Sequence, residues 1–121
     1  MMAEYGEALK RNGIDYDGAM ERFGGNAELY ERLALKFLDD THFAALEQAL
    51  AGGDVDTAVR EAHTLKGVAG NLSFAALYEA ASKVNAALRE GDLAGATALM
   101  DPVRSAHAAV VSALSSLRDA R

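Results

Sequence analysis

The sequence has no cysteine, which removes disulfides, thiolate nucleophiles and zinc–thiolate sites from consideration. Proline occurs once, so almost nothing breaks a helical pattern outright. No apolar run approaches the roughly 20 residues that a bilayer span requires. The opening residues Met1-Met2-Ala3-Glu4-Tyr5 offer neither the basic nor the apolar segment of a secretory signal, and none is expected. Basic residues are in deficit: 12 Lys and Arg against 18 Asp and Glu leave a net charge of −6. That balance disfavours nucleic acids and anionic membrane surfaces as partners. No internal repeat or low-complexity tract is present. Half of the residues are hydrophobic, with alanine and leucine prominent, a mixture that suits a helical protein with a real core. The expectation is a single cytoplasmic domain over residues 1–121 that meets other proteins as a monomer.

Apolar spacing divides the chain into helices. Residues 2–11 read as a short helix stopped by the turn pair Asn12-Gly13, and residues 14–23 as a second one capped by Asp15 and followed by Gly24-Gly25. Asn26 is placed to cap a long helix. Its apolar side begins with Leu29, Tyr30, Leu33 and Phe37 and resumes at Phe43, Leu46 and Leu50. The phase slips around Asp39-Asp40-Thr41, where a bend or a break is expected. Ala51-Gly52-Gly53-Asp54 ends that helix and caps the next.

From there Val55, Ala58, Ala62, Leu65, Ala69 and Leu72 recur at spacings of three and four, the mark of a core-facing stripe. Ser73 is placed to cap a helix over 74–89 with Leu77, Ala81, Val84 and Leu88 inward. Glu90-Gly91-Asp92 is a stop followed by a start. The last helix runs over 93–117, with Leu99, Val103, Ala106, Val110, Ala113, Leu114 and Leu117 inward, and Pro102 implies a kink or break within it. Long helices with short links imply an all-α fold: an antiparallel up-down-up-down four-helix bundle over 26–121, preceded by one or two short helices in 1–25.

One stretch departs from a generic bundle. In Ala62-His63-Thr64-Leu65-Lys66-Gly67-Val68-Ala69-Gly70-Asn71-Leu72, a single helix carries a histidine, a lysine and two glycines on one side. At about 100° per residue, Gly67 falls roughly 40° to one side of His63 and Gly70 roughly 20° to the other, with Lys66 about 60° round on the side of Gly70. That side is turned roughly 100° or more from the centre of the apolar stripe, at the edge of the buried face. A lone histidine there ordinarily fills the shoulder of a core. A core shoulder wants volume, however, and glycines supply none while costing about 1 kcal/mol each in a helix. Close approach of a partner to the imidazole accounts for them.

A neutral imidazole is nucleophilic near pH 7 and makes a phosphoramidate that is readily passed on. Phosphoryl transfer asks mainly for positioning and charge neutralisation, and Lys66, one turn on, can supply a cationic donor. No glycine-rich phosphate loop and no pair of metal-binding histidines at helical spacing accompanies them. The group must therefore come from another protein and go to another.

The run His63-Thr64-Leu65-Lys66-Gly67-Val68-Ala69-Gly70-Asn71-Leu72 resembles the signature of histidine-containing phosphotransfer (HPt) domains. Gly13-Ile14-Asp15, Gly24-Gly25-Asn26 with Leu29-Tyr30 and Phe37, and the Gly91-Asp92 link are similar to elements of that family too. The resemblance implies a four-helix bundle with a phosphoaccepting histidine exposed in mid-helix, exchanging phosphoryl groups with receiver-domain aspartates in two-component relays. It implies that His63 is phosphorylated through Nε2, that Lys66 stabilises the phosphate and that Gly67 permits access. It implies no cofactor of the chain's own, any magnesium coming from the partner, and no autokinase activity. Partners would be response-regulator receiver domains and a sensor histidine kinase.

Two positions depart from the family pattern. Asn85 stands where Gln or Glu often bonds the histidine's other nitrogen; the amide is shorter, and Asn85 is expected to help fix the ring, through a water bridge if not directly, the alternative being no orienting role. Ser73 stands where glycine is common, and a capping role is expected of it. The surrounding docking patch would comprise Arg60, Thr64, Gly70 and Asn71, with Lys83 from the next helix. His42 and His107 are expected to be structural. The rival readings are a module of a larger hybrid or chemotaxis-type histidine kinase, and a helical adaptor that docks without being phosphorylated. A metal-binding bundle would need ligands paired on facing helices, which three scattered histidines do not provide.

Overall fold

The computed structural model describes residues 5–120, all of whose regular structure is helical. The part of the expected first helix that precedes residue 5 lies outside the described residues. Eight α-helices follow one another: α1 Gly6–Arg11, α2 Tyr16–Arg22, α3 Ala27–Lys36, α4 His42–Ala51, α5 Val55–Asn71, α6 Ala75–Arg89, α7 Leu93–Ala98 and α8 Met100–Asp119.

Local chemistry sets most of the helix starts. Asp15, Asn26, Asp54 and Asp92 each accept a hydrogen bond from the backbone N–H three residues on, at Gly18, Leu29, Thr57 and Gly95. Each thereby satisfies one of the orphan donors of a first turn. At Asp54 the Thr57 hydroxyl, together with this backbone bond, holds the carboxyl below the usual carboxylate range.

Both expected interruptions are breaks. After α3 the chain tightens into a 3-10 turn, Phe37–Asp39, and Asp40 turns extended at ψ 137. The Asp40 carboxylate then accepts from His42 N–H to start α4. The last helix divides at Leu99, which closes α7 and opens α8. Pro102 is the third residue of α8, where its missing N–H would have had no helical partner anyway.

α5 and α6 are the most extensively packed pair, α4 lies against α5, and α7 and α8 lie against α6. Alanines make that close approach possible: Ala58, Ala62 and Ala69 on α5 and Ala81 on α6 are wholly buried. Tyr30, Leu46, Leu65, Phe74, Leu77, Met100, Leu114 and Leu117 fill the space between the helices. The stripe on α5 begins at Ala58; Val55, the first residue after the link, stays 37% exposed. Leu99, Ala106 and Ala113 are only half-buried.

Ser73 does not cap α6. It adopts φ +58, the sole non-glycine residue with positive φ among those described. The reason lies in how α5 ends. Ser73 N–H donates to Gly70 C=O at 3.2 Å and Phe74 N–H to Ala69 C=O at 2.9 Å. This is a left-handed helix stop, which usually takes glycine, as Gly91 does after α6 at φ +78. Phe74 then occupies the N-cap of α6 and has no side-chain oxygen to offer.

The missing cap is replaced from a distance. Ala76 N–H donates to Gly13 C=O at 3.1 Å, and Asp15 N–H donates to Ser73 C=O at 2.7 Å. The turn between α1 and α2 is thus bonded to the turn between α5 and α6. Gly13 is required there: it has φ +80, and a Cβ on it would sit 2.6 Å from the Ala76 Cβ. Nearby, the buried Tyr30 hydroxyl donates to Leu72 C=O at 2.6 Å, and burial raises its pKa. The N-terminal helices therefore brace the end of the helix that carries His63.

Candidate functional site

Helix α5 runs without interruption through both of its interior glycines. Its buried stripe fixes the roll of the helix, so His63 emerges exposed on the flank, between Ala62 and Leu65 that point into the core. A Cβ built on Gly67 meets nothing within 4 Å. The described residues therefore give no packing reason for glycine at 67, and among them the backbone beside the imidazole lies bare.

Gly70 has a different reason. A Cβ there would approach Tyr78 Cδ1 and Cε1 at 3.0 and 3.1 Å. The glycine makes room for the Tyr78 ring, so its smallness serves contact within the chain. Tyr78, on α6, is nevertheless 42% exposed. Its ring forms a wall of an open groove of about 720 Å³ that His63, Lys66, Gly67, Gly70 and Asn71 line from α5. Ser82 and Glu79 line it from α6, and Asp15 and Arg22 from the N-terminal helices. Lys66 lies partly across this groove, with Nζ 5.9 Å from the Tyr78 ring centroid, near the outer limit of a cation–π contact.

The imidazole has one hydrogen-bonding neighbour among the described residues. Arg89 Nη2, from the last residue of α6, lies 3.4 Å from His63 Nδ1. Asn85 is buried at 3% exposure, and its Nδ2 has no hydrogen-bond partner. Asn85 and Arg89 are four residues apart, on one side of α6.

The remaining expected contacts divide. Arg60, exposed one turn before His63, bonds Thr57 Oγ1 at 3.2 Å, and Thr64 is half-buried beside the imidazole. Lys83 turns elsewhere: it lines a second groove with Lys10, Arg11 and Pro102, and lies 3.7 Å from Glu79. Both other histidines have structural partners. His42 Nδ1 is 2.7 Å from Glu61 Oε1. His107 stacks on Phe43 at 4.1 Å between ring centroids, and burial pushes its pKa down.

Arg89, Tyr78 and Arg22 were not legible as site members in the sequence. A signal existed for two of them. Tyr78, Ser82, Asn85 and Arg89 recur at spacings of four, three and four, so a residue facing His63 from α6 predicts the others on the same side.

Taken together, the arrangement presents one exposed nucleophilic imidazole, a cation one turn away, a second cation on its far nitrogen, and bare backbone where a partner would approach. Among the described residues, no group of three or more His, Cys, Asp or Glu side chains converges as a metal site. The family model of the Hpt domain matches residues 37–120, which take in the 3-10 turn and everything from α4 through α8. No curated protein and no solved structure matches the chain.

Proposed function

The chain belongs to the Hpt domain family, and from that premise we propose that it is a phosphorelay intermediate working through His63. Membership carries histidine phosphotransfer in two-component signalling, and a phosphocarrier role rather than that of an enzyme with its own turnover. His63 accepts a phosphoryl group on Nε2 from a receiver-domain aspartate and passes it to the aspartate of another receiver domain. The observation that carries this is the exposed His63 beside a Gly67 whose missing side chain no contact among the described residues explains.

The chemistry asks little of the chain itself. Nε2 attacks phosphorus in line with the departing carboxylate oxygen, and the equatorial oxygens must be held and neutralised. Lys66 is one turn from the nucleophile and reaches those oxygens by leaving the Tyr78 ring, a contact worth only about 0.5–1 kcal/mol where exposed. Magnesium arrives with the receiver domain. The docking patch comprises Arg60, Thr64, Gly67 and Asn71 with Tyr78 from α6. Arg60, with Lys66 beside the patch, meets the carboxylates around a receiver aspartate and favours encounter.

Among the described residues no helix is long and apolar enough to cross a membrane. The proposed partners place the chain in the cytoplasm, acting as a monomer. Incubation with a phosphorylated receiver domain tests the assignment. Acid-labile label is expected on the wild type and absent from His63→Gln; label that persists in the variant would overturn the site. A wild type that binds the receiver without taking label would favour a docking adaptor instead.

A further inference from the structure

Helix α6 borders two grooves. Tyr78 and Ser82 face the one that His63 lines, whereas Ala80 and Lys83 face α8. The second groove, of about 630 Å³, has a floor of Ala76 and Ala80 from α6 and of Leu99, Pro102, Ala106 and Ala109. The last four recur at spacings of three, four and three, so they form one stripe, about 15 Å long at 1.5 Å per residue. Leu99 and Ala106 belong to the apolar side of that segment, yet the fold leaves them half-buried. Small side chains along both walls let another backbone come close and leave room for its larger side chains. An amphipathic helix of about three turns matches the length of the stripe.

Charge at the rim selects among helices. Lys10, Arg11 and Lys83 stand there against the carboxylate of Glu79, in a chain whose net charge is −6. Lys10 is 2.8 Å from Asp17 and Lys83 is 3.7 Å from Glu79, and both pairs are exposed. Exposed pairs of this kind are weak and yield readily to a partner's carboxylates. Arg11 has no ion pair among the described residues. The groove is also continuous with the face where a receiver domain docks. A smaller depression over the α1–α2 turn shares Asp15 and Glu79 with the His63 groove, and Lys10, Gly13 and Ala76 with the second.

We propose that the groove between α1, α6 and α8 is a second docking site, which takes an acidic amphipathic helix joined to the receiver domain that sits on His63. This rests on the reading of His63 as the phosphoacceptor, since the docked receiver brings the helix to the mouth of the groove. Its apolar side covers Leu99 and Ala106, and its carboxylates meet Arg11 and Lys83. A helix tethered in this way binds as an intramolecular event, which prolongs the stay of the receiver without touching the transfer chemistry. Partner choice then draws on residues that never meet the phosphoryl group.

The probe is a synthetic helical peptide with leucines on one side and glutamates on the other; the control has lysines in place of the glutamates. With the glutamate peptide, amide shifts of the ¹⁵N-labelled protein should move at Ala76, Ala80 and Ala106, and affinity should fall as salt is added. Arg11→Glu combined with Lys83→Glu, and separately Ser105→Tyr, which fills the groove from an exposed position, should each weaken binding about tenfold or more. All variants are checked for unchanged helicity. Joined to a receiver domain by a flexible linker, the peptide should lower the receiver concentration that gives half-maximal labelling of His63 about tenfold or more. The rate at saturation should stay the same. Ser105→Tyr should lose that gain while taking label from the bare receiver as the wild type does. Tighter binding of the lysine peptide, shifts confined to the His63 groove, or a gain that survives Ser105→Tyr would overturn the second site. A dimer of the protein alone that Ser105→Tyr dissolves would overturn it too, because the occupant would then be another copy. A wild type that binds the peptide in the groove but takes no label from the receiver overturns the His63 reading; label without peptide binding overturns this inference alone.

Discussion

Gly70 and Tyr78 are fitted to each other across the α5–α6 turn: the tyrosine ring passes 3.0 Å from where a Cβ on the glycine would stand. An alanine at 70 should gain about 1 kcal/mol of helix propensity and lose much of it by displacing the ring. In a Tyr78→Ala background the same substitution has nothing to displace. Gly70→Ala is therefore expected to stabilise by up to about 1 kcal/mol more in that background than alone. A double-mutant cycle in urea measures the difference, and additivity would show that the two residues do not share space in solution.

Gly67 separates stability from activity. Its Cβ would enter open space, so Gly67→Ala should raise unfolding free energy by roughly 1 kcal/mol. The added methyl stands where a receiver domain would approach, and transfer from a phosphorylated receiver should slow. A larger residue such as valine should slow it further while still folding. A stabilised variant with wild-type transfer kinetics would remove the access role of Gly67.

Ser73 carries backbone strain that glycine would not. An L-residue in the left-handed region is disfavoured by roughly 1–2 kcal/mol, and part of this is regained in the more flexible unfolded chain when glycine replaces it. Ser73→Gly should then stabilise by roughly 1 kcal/mol in denaturant unfolding, without altering phosphoryl uptake. A neutral or destabilising result would mean that the serine hydroxyl contributes more than its φ costs.

His107 gives the fold a dependence on pH. Burial beside Phe43 and Phe37 holds the native imidazole below its ordinary range, only partly offset by Asp40 and Glu47. Between the lowered native pKa and the unfolded value, the unfolded chain binds more protons, so stability rises with pH. The protein should thus lose stability as pH falls through about 6.5, and the loss should level off below the native pKa. His107→Phe keeps a stacked ring and cannot titrate. Thermal melts at several pH values should show a shallower acid-side decline in the variant; parallel curves would refute the assignment.

What the sequence disclosed and what it withheld differ by the range of the interaction. Asp15, Asn26, Asp54 and Asp92 were recognisable as caps because an Asx cap acts over three residues. The stripe from Ala58 to Leu72 was recognisable because helical periodicity is local, and it fixed the outward direction of His63. Arg89 lies 26 residues from His63, and no local pattern states which side chain of α6 meets it. Ser73 looked like a cap because serine usually is one; the geometry by which α5 stops, and a carbonyl from Gly13, took that role away. Gly70 looked like a docking surface because the partner that fills its space, Tyr78, belongs to the next helix. Lys83 was grouped with the site by nearness in sequence, whereas the roll of α6 carries it to another groove.

The two backbone bonds between the α1–α2 and α5–α6 turns also bear on how this protein can be trimmed. A fragment cut back to 37–120, the span the family model matches, would lose the Gly13 carbonyl that receives Ala76 N–H and the Tyr30 hydroxyl that binds Leu72 C=O. The helix bearing the phosphoacceptor would end in a frayed turn, with Phe74 and Leu72 newly wetted. The smallest excisable unit that keeps the groove intact therefore reaches back past Gly13, well ahead of the recognisable motif.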